Sequence, residues 1–145
     1  MFFGRYEHTV DDKGRLTIPS RHRAELAAGL VITRGFDSCL LIYPLARWEE
    51  ISAKFEQLPA ISQEDVGDFI RWLFSEAFDA EPDKQGRVLV PLYLREYAGL
   101  GDNVIVAGVR DHLEVWDPLK YAEHNKRMET DPKSFARGLR QFGIL

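Results

Sequence analysis

Two stretches of this chain carry the same side chains at the same spacing: DDKGRLTIP at 11–19 and DKQGRVLVP at 83–91. Each places an aspartate (Asp11, Asp83) four residues before an arginine (Arg15, Arg87), with a glycine (Gly14, Gly86) directly ahead of the arginine. A carboxylate at that distance can accept hydrogen bonds from turn N–H groups, or hold the arginine by a paired bond. The glycine suits a backbone position with positive φ, or one that another backbone approaches closely. Past the turn, Leu16 and Ile18, or Val88 and Val90, alternate with other residues. A strand that buries those apolar positions turns Arg15 and Arg87 to the outside. A braced, outward arginine matches phosphate, or guanine O6 and N7, with its forked donors. Lys13 and Lys84 add positive charge to the two turns at different positions. The plainer reading is an Asp–Arg pair that staples a surface turn and binds nothing. Two copies on equivalent elements shift the balance toward a repeated binding edge.

Other chemistry is thinly supplied. His8, His22, His112 and His124 show no metal-ligand spacing, and no Ser/His/Asp or Cys/His arrangement stands out. No GxxxxGK[ST] loop is present, and RGFDS and AGLGD read as ordinary loops. Asp11 and Asp12 are adjacent, which points strand side chains to opposite faces. No catalytic residue, metal or cofactor is expected, and the chain does not read as an enzyme.

The elements that must position these turns are themselves duplicated. At an offset of 72 residues Tyr6 meets Phe78, Arg23 meets Arg95 and Pro19 meets Pro91. With one further residue in the second copy, Gly35 meets Gly108, Leu40 meets Leu113, Tyr43 meets Trp116 and Trp48 meets Tyr121. Each unit reads as a strand (about 5–10, and 78–82), a tight turn and a second strand (RLTI, RVLV). A proline then opens a short helix (RHRAEL, YLREYA), followed by two more strands (LVIT with CLLIY, NVIVAG with LEVW). Helical stripes follow: Val66, Phe69, Ile70, Leu73, Phe74, Ala77 and Phe78 over 63–78, and a weaker one through Leu45, Trp48, Ile51, Phe55 and Leu58. Phe135, Leu139 and Phe142 suggest a last short helix. The stripes fit core packing or contact with a neighbouring subunit, since a half-length unit buries little surface alone.

Bulk properties bound the rest. A chain of 145 residues with three Trp, five Tyr and nine Phe can fill a core. The start, MFFGRYEHTV, has no signal-peptide pattern, no run is long enough to span a membrane, and a cytoplasmic protein is expected. The single Cys39 lies in the apolar run CLLIY and reads as a small buried residue. The net charge of −4 argues at face value against nucleic acid. Its distribution argues otherwise: residues 45–81 hold nine acids and three bases, so the remainder is net positive. Around the first turn, Arg5, Lys13, Arg15, Arg21 and Arg23 outnumber Glu7, Asp11 and Asp12. Local sign steers a polyanion more than total charge does.

MFFGRYEHTVDDKGRLTIPSRHR, CLLIYPLARWE, DKQGRVLVPLYLREYAGL and LEVWD together resemble the MraZ family over nearly the whole chain. The resemblance implies an α+β fold: a duplicated AbrB-like swapped-hairpin β-barrel with attached helices and a pseudo-two-fold within the chain. The expected divisions are a first repeat at 1–50, connecting helices at 51–76, a second repeat at 77–123 and a C-terminal helical segment at 124–145. The resemblance further implies a transcription regulator, generally a repressor of the division and cell-wall gene cluster that includes its own gene. Its partners would be double-stranded DNA at short direct promoter repeats and copies of itself, in a ring that is typically octameric, associated with the nucleoid and not a membrane. Carried over, the DNA-binding residues are Asp11, Lys13, Gly14 and Arg15, with Asp83, Lys84, Gly86 and Arg87. The second copy displaces the lysine and has Leu89 where the first has Thr17. The first motif is therefore expected to read bases more, and the second to grip backbone. The acidic helices of 45–81 are expected to lie away from DNA. Two other readings are an antitoxin-like module holding a partner protein through the helical stripes, and a barrel enzyme. The compact ending PKSFARGLRQFGIL speaks against the first. The second lacks a self-processing serine or a convergent acid–base set.

Overall fold

The two repeated motifs meet as a pair of strands. In the computed structural model, which describes residues 1–58 and 63–144, β2 (Arg15–Thr17) lies antiparallel to β6 (Arg87–Leu89). Leu16 stands opposite Val88 at the centre, with Arg15 opposite Leu89 and Thr17 opposite Arg87. Leu16 and Val88 are buried and their neighbours are not, as a period of two requires.

The other six strands form one antiparallel sheet, giving a mixed α+β architecture. They are β1 (Arg5–Thr9), β3 (Leu30–Arg34), β4 (Leu40–Pro44), β5 (Phe78–Ala80), β7 (Asn103–Val109) and β8 (His112–Trp116). Their order is β1-β7-β8-β4-β3-β5, which is symmetric about the β8–β4 pair. Each half supplies a hairpin, β3–β4 or β7–β8, and sends its first strand across to the hairpin of the other half. Tyr6 thus faces Val106, and Phe78 faces Ile32. Neither half completes a sheet without the other.

Alternation along the strands gives the sheet two apolar faces. Ile32, Leu40, Ile42, Val104, Val106, Leu113 and Val115 share one core with Leu16, Ile18, Val88 and Val90 of the ribbon. Leu26 of α1 (Arg23–Leu26) and Leu94 and Ala98 of α4 (Leu92–Ala98) close that core. Pro19 and Pro91 stand just ahead of the helical turns, where a missing N–H costs nothing. On the opposite face, Val31 packs with Trp48 of α2 (Leu45–Glu56) and Leu73 of α3 (Gln63–Phe74). Leu41, Ile105 and Trp116 form a second cluster there with Cys39. Burial, with Glu114 and Asp37 nearby, pushes the Cys39 thiol up to about 12. Two helices close the chain, α5 (Pro118–Thr130) and α6 (Pro132–Arg140), with Asp117 and Asp131 accepting N–H bonds at their starts. Among the described residues no helix is long and apolar enough to cross a membrane.

The apolar stripe read across 63–78 outruns its helix. α3 stops at Phe74, where Thr33 Oγ1 donates to Leu73 O at 2.6 Å and Arg34 donates to Trp72 O. A guanidinium and a hydroxyl thus satisfy carbonyls the helix end leaves open. Phe78 instead enters the ladder with β3. Of the weaker stripe only Trp48 is buried, while Leu45 and Leu58 are exposed. Phe135, Leu139 and Phe142 do lie on or just after α6, but all three are exposed. Within the expected connecting segment, residues 59–62 lie outside the described residues.

Candidate nucleic-acid interface

Each turn is built around one carboxylate. Asp11 Oδ1 accepts the Lys13 N–H at 3.0 Å and the Arg15 N–H at 2.8 Å, and Oδ2 accepts Arg15 Nε–H at 2.8 Å. Two backbone bonds complete it: Asp11 N–H to Arg15 O at 2.9 Å, and Gly14 N–H to Asp11 O at 3.0 Å. The second turn repeats all five. Asp83 Oδ1 accepts Gln85 N–H and Arg87 N–H, each at 2.9 Å, and Oδ2 accepts Arg87 Nε–H at 3.2 Å. Asp83 N–H reaches Arg87 O, and Gly86 N–H reaches Asp83 O, both at 2.9 Å. The chain can close this circuit only by passing through positive φ, at +81° for Gly14 and +76° for Gly86, where a side chain is strained.

The backbone N–H of the following arginine is the first cause holding each carboxyl below its ordinary range. For Asp11 the Arg15 side chain and the Lys13 N–H add to it; for Asp83 the Gln85 N–H and the Arg87 side chain do. Burial opposes both shifts. Both aspartates are therefore anions at neutral pH, and each arginine leaves its turn with about one third of its side chain exposed to solvent.

The ribbon brings the eight sequence-predicted residues together. The turns lead into opposite ends of a three-residue ladder, so Arg15 and Arg87 become diagonal neighbours on its outer face. Arg87 Nη1 comes within 3.9 Å of Asp11 Oδ2, so one carboxylate sees both guanidiniums. Lys13 and Lys84 are exposed on the turns, and Thr17 and Leu89 share the outer face with the arginines. A face of forked and point cations on a rigid two-stranded element can contact phosphate and base edges. Helices α2 and α3, which carry most of the acids of 45–81, pack on the sheet face opposite the ribbon's core.

Two arginines outside the predicted set also belong here. Arg23 and Arg95 lie against Gly86 and Gly14, in each case the glycine of the other repeat. The offset alignment pairs Arg23 with Arg95, but nothing in the sequence says they cross between halves. A cleft of about 820 Å³ beside α5, lined by Asp37, Glu114, Trp116 and His124 among others, takes no residue from the ribbon. Among the described residues, no three His, Cys, Asp or Glu side chains converge to hold a metal ion.

Comparison with known proteins bears on the same residues. The profile of a family described as "MraZ protein, putative antitoxin-like" matches residues 1–67 and 73–138. A Roseiflexus castenholzii protein named transcriptional regulator MraZ is 47% identical over 139 residues, 96% of each chain. Proteins of that name from Moorella thermoacetica and Herpetosiphon aurantiacus are each 42% identical over 144 residues, 99% of this chain and 100% of theirs.

Proposed function

The chain belongs to the MraZ family, and on that premise we propose that it is a sequence-specific DNA-binding transcriptional regulator that reads DNA with the β2–β6 ribbon. The observation that carries this reading is the duplicated Asp–Arg turn, two copies of one five-bond circuit delivering two arginines to one outer face. Asp11 and Asp83 set the turns, Gly14 and Gly86 permit them, and Arg15, Arg87, Lys13 and Lys84 meet the DNA. Family membership and the names of the relatives support a regulator rather than an enzyme.

The finer picture is part of the same proposal. The crossing of β1 onto β7 and β5 onto β3 supports a duplicated AbrB-like swapped-hairpin barrel. The protein acts as a repressor of the division and cell-wall gene cluster that contains its own gene, on short direct repeats, within the nucleoid. It works as a ring of copies, octameric in the typical case. In a ring, several modest contacts on adjacent repeats act together through effective concentration, so no single subunit needs a strongly basic surface. That accommodates the net charge of −4. The acidic helices, set on the far side of the sheet, leave the ribbon edge as the one that DNA prefers.

The deciding experiment measures binding of the purified protein to DNA upstream of its own gene across a salt series, with wild type and Arg15→Ala. Tight binding to the repeats, a steep fall with salt and loss in the variant are expected. Binding indifferent to sequence and to Arg15 would reduce the turns to structural staples.

A further inference from the structure

Each turn glycine lies under an arginine from the opposite repeat. Arg23 begins α1 and Arg95 occupies the matching place in α4. Each is first fixed within its own repeat: Arg23 Nε–H donates to Ile18 O at 3.1 Å, and Arg95 Nε–H to Val90 O at 2.9 Å. The guanidinium then spreads over the other repeat's turn. A Cβ on Gly14 would meet Arg95 Nη2 at 2.9 Å, and one on Gly86 would overlap the Arg23 guanidinium outright. The same residues are tied by backbone, since Ile18 N–H donates to Gly86 O at 2.8 Å and Val90 N–H to Gly14 O at 2.9 Å. Two circuits result, Arg23–Ile18–Gly86 and Arg95–Val90–Gly14, each joining a helix of one half to the turn of the other.

No ion pair explains these placements. Among the described residues neither Arg23 nor Arg95 is bonded to a carboxylate, unlike Arg15 and Arg87. What each arginine gains is a carbonyl for Nε–H and a flat glycine surface for its planar group, a fit that an ammonium on a flexible stem does not reproduce. The glycines are thus required twice over, by positive φ and by the guanidinium lying on them.

We propose that Arg23 and Arg95 are reciprocal positioning residues: each holds the DNA-facing turn presented by the opposite repeat, so that the two turns are set as a pair. This rests on the ribbon being the DNA-reading edge. It adds that neither turn is competent alone, because the part that holds it comes from the other copy.

Hydrogen exchange on the full chain without DNA tests the crossing directly. Arg23→Ala should speed exchange at 83–87 about tenfold more than at 11–15, and Arg95→Ala should do the reverse. Arg23→Lys, which keeps the charge and loses the planar fork, should give the same crossed pattern with the fold intact by circular dichroism. Equal loosening of both turns, or loosening confined to the mutated repeat, would overturn the proposal. In DNA binding, Arg23→Ala and Arg87→Ala should be non-additive by about threefold or more, while Arg23→Ala and Arg15→Ala combine nearly additively. Any fall in salt slope caused by Arg23→Ala, through the unheld Arg87 turn, should persist in Arg23→Lys. A slope reduced by about one and restored in Arg23→Lys would make Arg23 a phosphate contact, which sinks the positioning role. If the crossed exchange pattern holds while Arg15→Ala binds DNA like wild type, the crossed hold stands and the DNA reading fails.

Discussion

In the first turn Asp11 takes the Arg15 Nε–H at 2.8 Å; in the second Asp83 takes the Arg87 Nε–H at 3.2 Å. The four other bonds of each circuit run between the same positions in both copies, at 2.8–3.0 Å. In the side chains the circuit does not use, the copies part: Asp12 against Lys84, Lys13 against Gln85, Thr17 against Leu89. The shared residues are those whose carboxylate, guanidinium or positive φ the turn consumes; from Lys13 and Gln85 it takes only the backbone N–H, which any side chain leaves free. The divergent positions all leave the ribbon core. A mere staple requires the circuit and nothing more, yet both copies keep a lysine on the turn while moving it by one place. The scaffold is duplicated, and the surface it presents is not.

If that is correct, the largest and most nearly equal effects lie under the ribbon. Leu16 and Val88 oppose each other with almost no exposure. Leu16→Ala should cost about 2–5 kcal/mol in urea unfolding. Val88→Ala should cost less by roughly 0.8 kcal/mol, for one fewer methylene lost. A costlier Val88→Ala would mean that the two strands do not share one core on equal terms.

On the outer face the copies should separate. Arg15→Ala is expected to remove about 1–3 kcal/mol of discrimination between operator and altered sequence. Arg87→Ala should weaken all sequences alike and reduce the salt slope by about one. Equal effects of the two on sequence preference would break the comparison. A smaller change should sharpen it: Leu89→Thr with Gln85→Lys makes the second turn resemble the first. Stability should stay within about 0.5 kcal/mol of wild type, because both sites are exposed. Base preference at the second half-site should move toward that of the first.

Spacing alone carried much of this surface. An aspartate four residues before an arginine, with glycine between, admits few geometries, and period two sent Leu16 and Val88 inward. The hairpins LVIT–CLLIY and NVIVAG–LEVW were legible because their partners are close in sequence. The crossing of β1 onto β7 was not legible from pattern, since no local signal says which of two similar hairpins a strand joins. Phe78 shows the same limit, fitting a helical stripe and a strand alike until Ile32 decides it. His22 is a third case. Its place in the second copy is Leu94, and both are fully buried. The histidine survives there because Glu25 Oε1 at 2.9 Å and Phe3 O at 3.1 Å meet both ring nitrogens, partners a local window does not show.

The smallest expected effect separates the turn from its arginine. Both carboxyls sit below their ordinary range, so the unfolded chain binds more protons as pH falls toward that range. Their contribution to stability is then full above the ordinary carboxylate value, and is lost as pH drops through the depressed folded values. Between pH 7 and 5 the turns should not change. On further acidification Asp83 should protonate before Asp11, which has the shorter arginine bond and a second guanidinium at 3.9 Å. Carboxyl carbon shifts followed by NMR would show the order, and Asp11 protonating first would reverse it. In both turns the leading cause is a backbone N–H and not the guanidinium. Arg15→Ala should therefore leave the Asp11 carboxyl still below its ordinary range and the turn closed. If instead the Asp11 titration moves back to its ordinary value, the arginine is needed to hold the turn and the staple reading gains. A turn that stays closed without its arginine does not explain why the residue there is arginine, and recognition of an outside anion does.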